Sequence, residues 1–302
     1  MNVAELSTCD EAASNKRFCD NEELRYSLRS LEKNAPWIHH IFIVTDRQVP
    51  TWLNLDNSKV SIVDHSAILP KELIPTFNSS VIERYIGFIP GLQEHFLYGN
   101  DDTFFGKKVS KSFFFNEEKA ISRVKKLEGI KTDLTQIELG NLWQTIDLFG
   151  KSVINAWQLL SKQYNLQTID LLAPHHNIDA FIKSDYQNTF YKYQRAFDQR
   201  CYKFRNSQDI QRILFSCDPV MNNRAKLLEE PSYSVREKLK TLFTGESINS
   251  YYIEPKLKSL LVLLLLNPVL FCINDSGNSQ FGNLLERWFL QWKYPKKSSF
   301  EK

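Results

Sequence analysis

The chain has 302 residues, of which 42% are hydrophobic and 13% aromatic, so it is long and apolar enough to bury a full globular core. Its 38 Lys and Arg residues nearly balance 35 Asp and Glu residues, which excludes the dense positive field of a general nucleic-acid binder. The five cysteines are scattered without a Cys-x-x-Cys pair, so we expect neither a disulfide framework nor a zinc knuckle. The longest apolar run, Leu260 to Leu266, is too short to span a bilayer. These features predict a cytoplasmic protein with no nucleic-acid partner.

Helical and strand patterns alternate along the first hundred residues. Apolar side chains recur at helical spacing between Asp20 and Lys33, where Asp20 or Asn21 is placed to cap the helix. Two β-branched runs, HIFIVTD (40–46) and VSIVDH (60–65), follow as strands. This order is typical of an α/β protein.

A third apolar strand, His95 to Tyr98, leads into Asn100, Asp101 and Asp102. Ligands in open α/β sheets bind beyond the carboxyl ends of the strands, where this triplet lies. Successive side chains of an extended chain point to opposite faces, so Asn100 and Asp102 are the pair that can share a cation such as Mg²⁺. The alternative is an Asx turn that caps the next segment.

The middle of the chain is predicted to leave the sheet. Residues 117–135 are polar and irregular, and a helical stretch from Ile137 to Tyr164 follows, broken near Gly150. We therefore expect a helical or irregular excursion over residues 117–165.

Three further polar positions follow strands or precede helices in the second half. His175 and His176 follow a short strand, and a histidine there is suited to act as a general base, although the pair alone favours the alternative of a surface or core-edge histidine. Arg205 precedes a helix that Asn206 or Ser207 is placed to cap, and its guanidinium can clamp a phosphate, although most arginines at helix starts have no such role. The strand VLFCIND (269–275) ends on Asn274 and Asp275, which, like the first triplet, indicate either a cation site or an Asx turn.

Taken in order, six segments of the chain resemble the Stealth family. They are RFCDNEELRYSLRSLEKNAPWIHHIFIVTD (17–46), PTFNSSVIE (75–83), FLYGNDDTFFG (96–106), PHHNIDAFIKSD (174–185), FRNSQD (204–209) and FCIND (271–275). Stealth proteins are bacterial capsular polysaccharide phosphotransferases, related to the catalytic subunit of the animal N-acetylglucosamine-1-phosphotransferase. The resemblance runs from Arg17 to Trp292.

This resemblance implies one catalytic domain over residues 1–302, with a Rossmann-like, mostly parallel sheet flanked by helices. Its parts would be residues 17–116 with the first triplet, the excursion at 117–165, and residues 166–302 with the histidines, Arg205 and the terminal strand. The implied reaction moves a hexose-1-phosphate, such as N-acetylglucosamine-1-phosphate, from a uridine diphosphate sugar to a sugar hydroxyl and releases UMP. Mg²⁺ or Mn²⁺ is the expected cofactor. An oligo- or polysaccharide is the expected acceptor, and membrane-associated capsule assembly machinery at the inner membrane is an expected partner.

The resemblance also assigns residues. Asp101 and Asp102 stand at the positions of the active-site acids, His175 or His176 at that of the essential histidine, and Arg205 at that of a functional arginine. The residues expected to bind the donor are Arg17, Asp20, Asn21, Glu23, Arg25, Arg29, Asn274 and Asp275.

The chain departs from the family pattern at its start. Family members usually carry an earlier strand of the kind Val-Tyr-Thr-Trp-Val-Asp-Gly, and the sixteen residues before Arg17 do not resemble it. We therefore expect the donor pocket to lack this block. Two alternatives to sugar-phosphate transfer stay open: a metal-dependent glycosyltransferase that releases UDP, and a truncated, inactive module that binds a sugar nucleotide.

Overall fold

The computed structural model of the chain describes residues 20–127, 142–166, 171–230, 244, 248–274 and 280–302. Helices and strands are interspersed throughout these ranges, which confirms the predicted α/β class. The helices are α1 (Glu23–Asn34), α2 (Ser79–Glu83), α3 (Leu142–Thr145), α4 (Leu148–Tyr164), α5 (Lys183–Asp198), α6 (Ile213–Met221), α7 (Leu257–Leu266) and α8 (Gln280–Lys293). The strands are β1 (Ile41–Thr45), β2 (Val60–Asp64), β3 (His95–Tyr98), β4 (Thr103–Phe105), β5 (Phe115–Asn116), β6 (Lys119–Lys126), β7 (Leu172–Pro174), β8 (Asp179–Ile182), β9 (Lys226–Glu229), β10 (Ser250–Ile253) and β11 (Leu270–Ile273).

The described strands fall into small sheets that mix parallel and antiparallel pairs. β1 pairs with β2, β10 with β11 and β6 with β9 in parallel. The antiparallel pairs are β4 with β11, β3 with β8, and β6 with both β5 and β7. The sheet of β10, β11 and β4 and the pair of β3 and β8 hold the residues that matter for function, because the turn from β3 to β4 joins them.

Part of the predicted excursion belongs to a sheet, and this corrects the expectation for residues 117–165. Residues 119–126 form β6, whose alternate side chains Ala120, Ser122 and Val124 are buried. The segment looks irregular in sequence because only one face is covered, and the solvent-facing positions carry charged side chains. The helical break lies at Asp147 rather than near Gly150, because the Asp147 carboxylate accepts a hydrogen bond from the Gly150 amide at 2.7 Å and begins α4 there. Residues 128–141 lie outside the described part of the chain.

The larger core lies where α4, α5 and α6 cover β7 and β8. Trp157 of α4 is buried and donates its indole N–H to the Leu172 carbonyl at 2.7 Å. Tyr186 stacks on Phe215 with 3.9 Å between ring centroids, and its hydroxyl donates to the Glu83 carbonyl at 2.5 Å. These contacts fix β7 and the end of α2 relative to the helices.

A second core joins α1, α8 and the sheet of β10, β11 and β4. Phe104 stacks on Phe271 at 5.0 Å, and both are fully buried with Phe289 of α8. The carbonyl of Phe105 accepts hydrogen bonds from Asn34 at 2.5 Å and from the Tyr294 hydroxyl at 2.9 Å. Both ends of the described chain are therefore attached to β4. No helix within the described ranges is both long and apolar enough to cross a bilayer.

Arg29 of α1 forms a two-point ion pair with Glu301, and this pair locks the C-terminus onto α1. Nε and Nη2 of Arg29 lie 2.7 Å from the two carboxylate oxygens of Glu301, and the Arg29 and Glu301 side chains are 9% and 3% exposed. The fork geometry and the burial make this pair stronger than an exposed one.

We expect a double-mutant cycle of Arg29→Met and Glu301→Gln to give a coupling energy of about 1.5–3 kcal/mol in urea unfolding, because both hydrogen bonds are charge-assisted. Arg29→Lys should lose part of that energy, since an ammonium cannot reproduce the fork. A coupling energy near zero would contradict the structural role.

Candidate active site

Asp101 and Asp102 lie in the turn that joins β3 to β4. Thr103 closes the turn, because its hydroxyl donates to the Asn100 carbonyl at 2.6 Å. A Cβ at Gly99 would lie 2.8 Å from that hydroxyl oxygen, so the absence of a side chain there lets Thr103 approach.

The turn is held against β11. The Ile273 amide donates to the Asp102 carbonyl at 3.1 Å, and Sγ of Cys272 lies 3.3 Å from Oδ2 of Asp102. Oδ1 of Asp102 is buried and has no hydrogen-bond partner within the described residues. A buried carboxylate oxygen without a donor is unfavourable, so this atom is available to a bound ligand.

Electrostatic interactions link Asp102 to Asp101, and Asp101 in turn to Asp20 and Glu23. Burial, with a further contribution from Asp101, raises the pKa of Asp102 to about 6. Burial also raises the pKa of Glu23 to about 7, with contributions from Asp101 and Asp20, and it raises the pKa of Asp101. We call Asp20, Glu23, Asp101 and Asp102 the acidic cluster. Glu23, Asp101 and Asp102 hold their protons more tightly than exposed carboxyl groups, because burial disfavours the charged form.

Asn100 and Asp102, the two predicted metal ligands, differ in whether their side-chain oxygens already accept a hydrogen bond. Oδ1 of Asn100 accepts from the Tyr98 hydroxyl at 2.9 Å, whereas Oδ1 of Asp102 has no donor among the described residues. In the part of the chain that the structure describes, no three His, Cys, Asp or Glu side chains are already arranged around one metal position. Of the predicted ligands, Asp102 fits a cation best.

The two histidines follow β7 and have different surroundings. Nδ1 of His175 lies 2.7 Å from the Ser250 hydroxyl, which is also bonded by the Asn177 side-chain amide. His176 lies between two rings, with 4.9 Å to Phe149 and 5.4 Å to Tyr252 between centroids. His175 is therefore oriented by hydrogen bonds and His176 by ring contacts.

Both histidines are neutral at pH 7. Burial, helped by Lys125, lowers the pKa of His175 to about 4. Burial, followed by the charge of Arg212, lowers the pKa of His176 to about 3. The neutral imidazole is the form that can accept a proton, and a bound anion would raise both pKa values.

Arg205 lies in a loop that two buried polar residues hold together. The Asn78 side-chain amide donates to Oδ1 of Asp209 at 2.9 Å, and the Asn206 amide donates to Oδ2 of Asp209 at 2.7 Å. Nη2 of Arg205 donates to the Ser79 hydroxyl at 3.0 Å. These bonds keep residues 204–209 out of a helix, so the helix predicted to begin after Arg205 begins at Ile213 instead.

The charge of Arg205 contributes, after burial and several stronger charge effects, to the lowered pKa of His176. The Phe77 ring stacks on Phe204 at 5.4 Å, which attaches the segment 75–83 to the Arg205 loop.

Arg212 is a charged residue of the site that the sequence interpretation missed. Its Nε donates to Oδ2 of Asp179 at 2.9 Å, and its Nη1 lies 3.4 Å from Oε1 of Glu83. The guanidinium lies over the Tyr98 ring at 5.0 Å, and the Tyr98 hydroxyl shares its single proton between Oε1 of Glu83 at 3.1 Å and Oδ1 of Asn100 at 2.9 Å. We call Arg212, Asp179, Glu83 and Tyr98 the buried ion network.

The buried ion network lies between the acids and the histidines. The charge of Arg212 lowers the pKa values of both Asp102 and His176, so it acts on both groups. Glu83 and Asp179 stand in the segments PTFNSSVIE and PHHNIDAFIKSD, so the resemblance did indicate their regions. No sequence pattern pairs them with Arg212, because that pairing is made only in the fold.

Several residues predicted to bind the donor have structural partners instead. Arg25 lies 2.6 Å from Glu22 and stacks over Trp52, and Arg29 is paired with Glu301. Only the acidic Asp20 and Glu23 of this first block join the acidic cluster.

Of the other residues predicted to bind the donor sugar nucleotide, two make hydrogen bonds within the fold and two lie outside the described residues. Asn21 is buried and donates to Oε2 of Glu286 at 3.3 Å. Asn274 donates its backbone amide to the Ile253 carbonyl at 3.0 Å, and its side chain bonds Tyr252 beside His176. Arg17 and Asp275 lie outside the described residues.

We expect Glu23→Gln to stabilise the protein above neutral pH. The folded pKa of Glu23, about 7, is higher than its ordinary value of 4.5, so ionising this group costs stability as the pH rises through 7. Relative to the native chain, the variant should gain roughly 1–2 kcal/mol of unfolding free energy at pH 8 after allowance for solvent screening. The gain should vanish below pH 4, where the carboxyl is protonated in both states. Urea titrations at both pH values measure it, and a pH-independent difference would contradict the assignment.

We expect Arg212→Met to destabilise the fold by about 3–5 kcal/mol, because it leaves Asp179 and Glu83 buried without their cation. Urea unfolding measures the loss. The double variant Arg212→Met with Asp179→Asn should recover part of it, since one uncompensated charge is then removed. A loss below about 1 kcal/mol would mean that solvent reaches the network.

Comparison with known proteins finds a family match for the acidic side of the site. Residues 17–123, which include the whole acidic cluster but not the histidines, match the model for Stealth protein CR2, conserved region 2. Exopolysaccharide phosphotransferase cps2G of Lactiplantibacillus plantarum is 51% identical over 102 residues, which cover 34% of this chain and 30% of that protein. N-acetylglucosamine-1-phosphotransferase subunits alpha/beta of Mus musculus is 53% identical over 120 residues, covering 39% of this chain and 10% of that protein.

A third relative extends the similarity across both halves of the site. Capsular polysaccharide phosphotransferase SacB of Neisseria meningitidis serogroup A is 29% identical over 309 aligned residues, which cover 97% of this chain and 52% of that protein. The chain thus spans about half or less of the length of these relatives. As the sequence resemblance predicted, residues 17–123 match conserved region 2 of the Stealth proteins, and the relatives that align with the chain are phosphotransferases by name.

Proposed function

We propose that this chain catalyses sugar-phosphate transfer in the synthesis of a surface polysaccharide. The observation that carries the proposal is that the segment similar to known phosphotransferases holds Asp102, whose buried Oδ1 has no donor among the described residues. In finer terms, the donor is a uridine diphosphate sugar such as UDP-N-acetylglucosamine, the acceptor is a sugar hydroxyl of an oligo- or polysaccharide, and UMP is released.

A divalent cation, Mg²⁺ or Mn²⁺, fits the acidic side of the site. Asp102 and Asp101 would hold it, because hard cations take carboxylate oxygens together with substrate phosphates. The raised pKa values of Glu23, Asp101 and Asp102 support this assignment, since burial makes their charged forms unfavourable and a bound cation would offset that cost. When bound, the cation would neutralise charge on the diphosphate.

The basic side of the site fits the transferred phosphoryl group. The acceptor oxygen would form a bond to the phosphorus that bears the sugar, while the bond from that phosphorus to the UMP oxygen breaks and UMP leaves with the electron pair. His175, oriented by Ser250, would take the acceptor proton, and Arg205 would stabilise the charge on the phosphoryl oxygens. Negative charge from the donor would raise the pKa of His175 from about 4 towards the range in which it works as a base.

The experiment is nucleotide release from UDP-N-acetylglucosamine by the chain with Mg²⁺ and an oligosaccharide acceptor. UMP formed only with acceptor is the expected result. UDP would instead identify a glycosyltransferase. Donor binding without release of either nucleotide would identify an inactive binding module.

We expect Asp102→Asn and His175→Gln to lower UMP release by at least about a hundredfold, for different reasons. Asp102→Asn should also weaken Mg²⁺-dependent donor binding in calorimetry, whereas His175→Gln should leave it unchanged. His176→Gln tests which histidine acts, and exposed His39→Gln is the matched control that should retain full activity. Unchanged turnover in Asp102→Asn would contradict the metal assignment.

A further inference from the structure

Exposed apolar side chains are concentrated on the last two helices. On α7, Leu257, Leu261 and Leu265 are 54%, 52% and 65% exposed at a spacing of four residues. On α8, the corresponding side chains are between 57% and 66% exposed: Phe281, Leu284, Trp288 and Trp292. Large apolar groups gathered in this way mark an interaction surface, whereas single exposed ones do not.

These side chains are not the core-facing sides of the two helices. Leu260 and Leu263 of α7 and Phe289 and Leu290 of α8 are buried in one shared core cluster, and the helices contact each other. Since both helices pack on the same core, their outward sides form one surface. We call the seven exposed side chains of α7 and α8 the apolar face.

Most of the exposed charges around the apolar face are positive. Among the described residues of this region, the exposed basic side chains are those of Lys256, Lys258, Arg287, Lys296, Lys297 and Lys302. Of the carboxylates nearby, Glu254 pairs with Lys256, Glu286 bonds Asn21 and Glu301 pairs with Arg29, while Asp20 is exposed and its backbone carbonyl accepts from Arg287. The apolar face is therefore surrounded mainly by basic side chains.

We propose that the apolar face docks on the surface of an anionic lipid bilayer. Leu, Phe and Trp side chains bordered by Lys and Arg are the composition of helices that lie in the membrane interface, with tryptophan at headgroup depth. Negatively charged headgroups complement the basic rim and add attraction for each Lys or Arg. A second copy of the chain fits less well, because a symmetric contact would bring two basic rims together.

This docking would hold the candidate site close to the membrane. α7 follows β10, which carries Ser250 and Tyr252 beside the histidines, and α8 follows the segment of β11 that carries Cys272 beside Asp102. The proposal concerns binding alone, so it stands or fails separately from sugar-phosphate transfer.

The test is co-sedimentation of the chain with vesicles of equal parts phosphatidylglycerol and phosphatidylcholine, and with vesicles of phosphatidylcholine alone. We expect binding to the anionic vesicles, weakened by 0.5 M NaCl, and little binding to the neutral ones. Leu261→Ser with Trp288→Ser should reduce the affinity by at least about tenfold, since each side chain would lose its burial in lipid. Lys258→Glu with Lys297→Glu should reduce it in anionic vesicles only.

Tyr191→Ser is the matched control, because Tyr191 is 60% exposed and contacts Phe88 and Phe190 of the other core cluster. It should bind vesicles like the native chain, and thermal unfolding should show that all variants remain folded. Absence of vesicle binding, or binding that the Leu261 and Trp288 substitutions leave unchanged, would overturn the proposal. Sedimentation that shows a dimer, lost in the same double variant and without vesicle binding, would assign the apolar face to a second copy instead.

Discussion

The arrangement of the site depends on the burial of Arg212. A guanidinium removed from water needs carboxylate partners in good geometry, and Asp179 and Glu83 supply them from β8 and α2. Tyr98 of β3 completes the network by contacting both the guanidinium and Glu83. Because β3 leads directly into the turn of Asp101 and Asp102, and β8 follows the histidines closely, one buried cation aligns segments that are far apart in sequence.

The opposite pKa shifts at the two sides of the site have one cause. Burial raises the pKa of Asp102 to about 6 and lowers that of His175 to about 4, because in each case the charged form loses hydration without gaining a close partner of opposite sign. Such a site is short of positive charge near the acids and of negative charge near the histidines. The metal-bound diphosphate of the proposed reaction would supply both.

Local sequence patterns predicted several strands and the position of Asp101 and Asp102. The features that the sequence did not predict depend on contacts between residues far apart in the chain. The run His95 to Tyr98 was readable as a strand because its apolar residues stand between turn residues. β6 was missed because its solvent-facing positions are charged, and only its partners β7 and β9 make it a strand. Arg29 was predicted to bind the donor because of the segment in which it lies. In the structure its Nε and Nη2 instead bond the carboxylate of Glu301, near the other end of the sequence.

The same ion pair bears on how the apolar face would act. Arg29 and Glu301 attach the C-terminus to α1, and Phe289 of α8 is buried against the sheet, so α8 is held from its core side and by the segment that follows it. A flexible tail would lose conformational entropy on docking, whereas a helix already fixed in place loses only side-chain freedom. The exposed tryptophans of α8 are thus presented by a preformed surface, and that surface is joined through β11 to the strand end that contacts Asp102.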